Sequence, residues 1–78
     1  MKKRINLINA RKELKLTQGQ LGAHIGITKQ AMSSIENAIT STTASNWDEL
    51  EDLLEVPQRA LREVFEVEEV YHAMGKAG

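Results

Sequence analysis

Seventy-eight residues suffice for one small domain with a modest hydrophobic core. Without cysteine there is no disulfide framework and no thiolate metal site, and without a long apolar run or a leader pattern a membrane span is excluded, so a soluble cytoplasmic protein is expected. The net charge of −1 hides a polarised chain: residues 1–39 carry seven basic against two acidic side chains (+5), and residues 40–78 carry three against nine (−6). A positive N-terminal half suits a phosphate-bearing partner, although ordinary solvated surfaces also show such asymmetry.

Met1 to Arg4 reads as a basic arm, expected to be frayed. Leu7, Ala10 and Leu14 recur at i, i+3 and i+7 and predict a helix from about Ile5 to Leu14, with Ile5 and Ile8 off the stripe. The stretch Leu16-Thr17-Gln18-Gly19-Gln20-Leu21 carries a complete helix start. Thr17 can cap the N–H of Gln20, the Gln20 side chain can return to the N–H of Thr17, and Leu16 and Leu21 can staple the entry. Gly26 ends that helix, and Thr28 starts another, with Ile27 and Met32 as its staple. Two starts with one glycine between them predict a helix-turn-helix over Thr17–Asn37.

Leu21 and Ile25 face inward from the first of these helices, and Met32 and Ile35 from the second. Gly22 falls where the helices cross and a large side chain would push them apart. The outward residues of the second helix are Lys29, Gln30, Ser33, Ser34 and Asn37, all polar and hydrogen-bonding. A DNA major groove can accept such a face.

Ala38 to Thr43 lacks periodicity and reads as a loop, its hydroxyls either phosphate contacts or ordinary loop polarity. A fourth helix follows from about Ala44 to Leu54, capped by Thr43 or Ser45, with Trp47, Leu50 and Leu54 inward and Asp48, Glu49, Glu51 and Asp52 solvated. Pro57 suits the first turn of a fifth helix. Leu61 and Phe65 would close the core, and the helix is expected to run to about Ala73; the alternation in Phe65-Glu66-Val67-Glu68 leaves a strand as the alternative. One domain is thus expected over residues 1–74, with a dimerisation helix over 57–74 and a disordered tail at 75–78. Ala60, Val64, Val67, Tyr71 and Met74 form a stripe spaced 4, 3, 4 and 3, the pattern of a helix seam, which points to a homodimer. Folding of Val67, Tyr71 and Met74 back onto the protomer is the alternative.

The residues offer little to catalysis. His24 and His72 have no cysteine or carboxylate at ligand spacing, Ser33 and Ser34 lack a persuasive base, and the glycines at 19, 22 and 26 lack the strand and the Lys-Ser/Thr of a phosphate loop. No enzyme activity, cofactor, metal or small-molecule ligand is expected.

With Arg11, Leu14, Leu16-Thr17-Gln18, Leu21, Gly26, Ile35-Glu36-Asn37, Leu50, Leu54 and Val56 in place, the chain from Leu7 to about Leu61 resembles the Cro/repressor (Xre-type) helix-turn-helix family. It departs from the family pattern at Gly22, where alanine is usual, at Ala38, where glycine is preferred, and in a following loop without basic residues. The resemblance implies an all-α, five-helix lambda-repressor-like domain and a regulator that binds double-stranded DNA sequence-specifically, with repression by promoter occlusion as a dimer. It implies that Arg11 pairs with Glu36 and approaches phosphate. Gln18 would anchor the backbone with Arg11, Lys29, Gln30, Ser33 and Ser34 would face base edges, and Thr28 and Asn37 would flank them. A rival is a module that keeps this fold for a protein partner, favoured by Lys29 being the only cation of the recognition helix.

Overall fold

Three threonines set three of the helix starts. Thr17, Thr28 and Thr43 each sit in extended backbone and accept from the N–H three residues on, at 3.0, 3.1 and 3.1 Å. At Thr17 the capping box is complete, because the Thr17 N–H donates to Gln20 Oε1 at 2.8 Å. The computed structural model describes residues 1–68. Its elements in order are strand β1 (Lys2–Lys3), helices α1 (Ile5–Glu13), α2 (Gln18–His24), α3 (Lys29–Glu36), α4 (Ala44–Leu54) and α5 (Gln58–Arg62), and strand β2 (Phe65–Glu66). Five helices form the body, and the only sheet among the described residues is the antiparallel β1–β2 pair.

Helix ends use the left-handed backbone region: Lys15, Gly26, Ala38 and Glu55 have φ of 58°, 77°, 57° and 55°. Only Gly26 adopts it without a Cβ penalty. The core is assembled from every helix: Leu7 and Ala10 of α1, Leu21 of α2 with Ile25 just after it, Met32 and Ile35 of α3, Trp47, Leu50 and Leu54 of α4, and Leu61 of α5. Leu16, Ile27, Leu53 and Val56 pack around its margin.

Five expectations are corrected. Leu14 is 47% exposed, because α1 ends at Glu13 and the chain reverses through Lys15, so Leu16 takes the inward place. The N-terminal arm is not frayed: Lys2 and Lys3 pair with Glu66 and Phe65, and Arg4 is buried. The fifth helix stops at Arg62 instead of running to Ala73, since Glu63 is extended (φ −62°, ψ 134°) and Phe65–Glu66 pairs with β1. The period-2 alternation prevails because β1 offers that segment backbone partners and puts Lys2 opposite Glu66. Phe65 is consequently half-buried and outside the core. Ala60 remains on α5, but Val64 and Val67 lie beyond it, so these three do not share a helix seam; Tyr71, Met74 and the 75–78 tail lie outside the described residues.

Candidate nucleic-acid interface

The turn between α2 and α3 is built on the absence of a side chain at Gly22. A Cβ there would stand 2.8 Å from the carbonyl oxygen of Ile27 and 3.1 Å from that of Thr28. The same closeness lets the Ile27 N–H donate to the Gly22 carbonyl at 2.8 Å. Gly26 supplies the left-handed step, and α3 begins at the Thr28 cap.

Met32, Ile35 and Glu36 take the buried side of α3. Thr28, Lys29 and Gln30 are exposed at its start, and Ser33, Ser34 and Asn37 are half-buried further along. None of these polar side chains belongs to the core, so the outward face is left with hydroxyl, amide and ammonium groups. Such groups can donate to and accept from base edges and phosphates.

Glu36 is the buried centre beneath that face, its side chain 2% exposed. Arg11 Nε donates to its Oε2 at 2.6 Å, Arg11 Nη2 to its Oε1 at 3.2 Å, and Gln18 Nε2 to its Oε1 at 3.0 Å. Arg11 Nη1 is taken by the Leu16 carbonyl at 2.9 Å. The pair implied by the resemblance is therefore present, and it ties α1, α2 and α3 together. Arg11 is buried, with one donor each of Nε and Nη2 on Glu36 and one of Nη1 on the Leu16 carbonyl, so it braces α1 against α2 and α3. Gln18 is half-buried with one amide hydrogen directed to Glu36, which fixes its orientation and leaves the other hydrogen for an outside acceptor.

The sequence gives no sign of two further contributors. Arg4 donates through its backbone N–H to the Glu36 carbonyl at 2.8 Å. Its Nη1 donates to the carbonyls of Ile35 and Thr40 at 2.6 and 2.8 Å, and its Nε to that of Arg62 at 3.2 Å. The backbone of Arg4 thus satisfies the Glu36 carbonyl at the end of α3, and its side chain adds a donor to the Ile35 carbonyl, which also accepts from the Ala38 N–H at 3.1 Å. The guanidinium lies 5.5 Å from the centre of the Trp47 ring, with Arg62 at 5.8 Å from it. Burial, and secondarily the charge of Arg62, lower the Arg4 pKa from its ordinary value. The second contributor is Lys3, whose Nζ donates to Asn37 Oδ1 at 3.1 Å. Both contacts join residues more than thirty positions apart, so no local pattern announces them.

Among the described residues no cluster of His, Cys, Asp or Glu could hold a metal ion, and no helix is long and apolar enough to cross a membrane. His24 is exposed on α2.

A family model described as helix-turn-helix matches residues 7–57, more than half of the chain. Comparison with curated proteins and with solved structures gives no match. The matched span begins at core residue Leu7, contains the Arg11–Glu36 pair and the α2–α3 turn, and ends at Pro57, where α5 begins. The chain belongs to the Cro/C1-type (Xre-like) helix-turn-helix family of DNA-binding transcription regulators.

Proposed function

We propose that the protein is a sequence-specific repressor that binds double-stranded DNA as a homodimer and acts by occluding a promoter. The observation that carries this reading is the outward face of α3. Lys29, Gln30, Ser33 and Ser34, flanked by Thr28 and Asn37, stand clear of the core on a helix braced from beneath by Arg11 and Glu36. Lys29 suits guanine and Gln30 suits adenine in the major groove. Gln18 supplies a backbone contact from the start of α2.

A single α3 reaches only a few base pairs, whereas a two-fold dimer reads two half-sites about one DNA turn apart. The dimer contact is assigned to the C-terminal segment. Val64, between α5 and β2, is 42% exposed, and Ala60 on α5 and Val67 after β2 are partly exposed, so the contact would rest on separate apolar side chains in place of a helix seam.

Selection from a pool of random-sequence duplexes, followed by electrophoretic shift with the enriched DNA, tests the reading. Enrichment of a site with two related halves is the expected result, together with sedimentation of the wild type as a dimer and of Val64→Glu as a monomer. Failure to enrich any sequence, with no retention of duplex at low salt, would favour the rival reading of a protein-binding module. The isolated cation of α3 and the exposed acids Asp48, Glu49 and Asp52 of α4 are what that rival has in its favour.

A further inference from the structure

Strand β1 lies against the C-terminal end of α3, at the edge of the face assigned to DNA. Lys3 Nζ donates to Asn37 Oδ1 at 3.1 Å, and Asn37 Nδ2 donates to Ser33 Oγ at 3.4 Å. A polar line therefore runs from the strand back along α3 to a residue proposed to meet base edges. Beside it is a shallow hollow lined by Met1, Lys2, Lys3, Asn37 and Ile39, with Ile39 74% exposed.

The cation already at this corner, Arg4, is turned to carbonyls of its own chain. Helix α3 has no basic residue in its last turn, and the partial negative charge of a helix C-terminus repels phosphate. Arg4 and Arg11 are both buried, Arg4 with Nε and Nη1 on carbonyls and Arg11 on Glu36, so little of either is presented outward. Lys3 differs from both. It is half-buried, makes no salt bridge among the described residues, and is held by one neutral amide oxygen. An ammonium has three donors, so two remain for an outside acceptor.

We propose that Lys3 is a contact to the DNA phosphate backbone, carried to the interface by the β1–β2 ribbon and aimed by Asn37. The inference rests on the DNA-binding reading above and extends the interface to a residue outside the helix-turn-helix. It also makes β2 a positioning element for DNA binding, since the pairing of Lys3 with Phe65 keeps the strand in place.

The test is the salt dependence of binding to the duplex enriched by the wild type. Lys3→Gln keeps a donor for Asn37 but removes the charge, so a purely structural role of Lys3 would leave the dependence unchanged. The expected result is a log–log slope shallower by roughly 0.9 for each protomer on the DNA. Lys3→Arg should restore it. Circular dichroism fixes a temperature at which all three proteins are folded, and binding is measured there. An unchanged slope in Lys3→Gln overturns the proposal while leaving DNA binding intact. A slope lost in Lys3→Gln and not regained in Lys3→Arg also overturns it, by assigning the loss to packing. If the wild type retains no duplex at any salt concentration, the DNA reading falls together with this inference.

Discussion

At Glu36 three hydrogen bonds converge on one buried carboxylate, two from Arg11 and one from Gln18. A carboxylate so placed is a liability without its partners, since removing one member of a buried pair costs about 3–5 kcal/mol. Its function here is positional: it sets the depth at which α3 sits against α1 and α2. Gln30, six residues earlier and on the outside, has no such duty. Its truncation should therefore act on recognition alone. Gln30→Ala is expected to weaken specific binding by about 1–3 kcal/mol and to relax preference at one base pair, with an unchanged melting temperature. Competition binding against single-base variants of the selected site measures this, and equal losses on specific and random DNA would refute it. Ala38 presents the opposite case, a residue outside the outward face with a backbone cost. Its φ of 57° penalises any residue with a Cβ by about 1–2 kcal/mol. Ala38→Gly should stabilise the fold by about 1 kcal/mol in denaturant titration, after part of the gain is offset by the freer unfolded chain.

The helices and the ribbon obey different rules. Helices α2, α3 and α4 could be placed from sequence because their starts are local events: a threonine and an N–H three residues away decide each one. The Arg11–Glu36 pair was accessible only through family resemblance, since spacing alone says nothing about residues 25 positions apart. Strand β2 could not be chosen over a longer helix from the segment Phe65–Glu68, because what decides between them is β1 at the far end of the sequence. For the same reason Lys3 and Arg4 read as a loose arm. Elements that meet closely make a sharper prediction at Gly22. An added methyl would press on two carbonyl oxygens, both of them backbone. Gly22→Ala is expected to cost about 1–3 kcal/mol of packing strain, against a helix-propensity gain of about 0.8–1.0 kcal/mol. The net loss should appear as a lower melting temperature with weaker DNA binding, because α3 must move to relieve the contact. A variant that melts higher and binds as the wild type does would show that the α2–α3 spacing has slack.

Across the whole molecule, the −1 net charge is a poor guide to partner choice. The positive N-terminal half contains α2 and α3, whereas seven of the eight exposed acids among the described residues lie beyond residue 40, three of them on α4, so a duplex is drawn to one part of the surface. Binding is expected to weaken steeply between low and physiological salt as counterions released from the DNA are returned to it. Filter binding across that range checks this, and a flat response would point to a protein partner.

The β1–β2 ribbon joins the two ends of the described chain, with Met1 and Glu66 65 positions apart. This gives the fold an order in time. During synthesis α1, α2 and α3 leave the ribosome before the later elements, at about 5–20 residues per second, and the threonine caps of α2 and α3 need nothing made later. The strand beside α3 cannot be paired until Phe65 and Glu66 exist, and Arg4 cannot complete its contacts until Arg62 arrives. A chain interrupted after α3 would therefore carry every residue of the helix-turn-helix and still lack the finished corner where Lys3 meets Asn37.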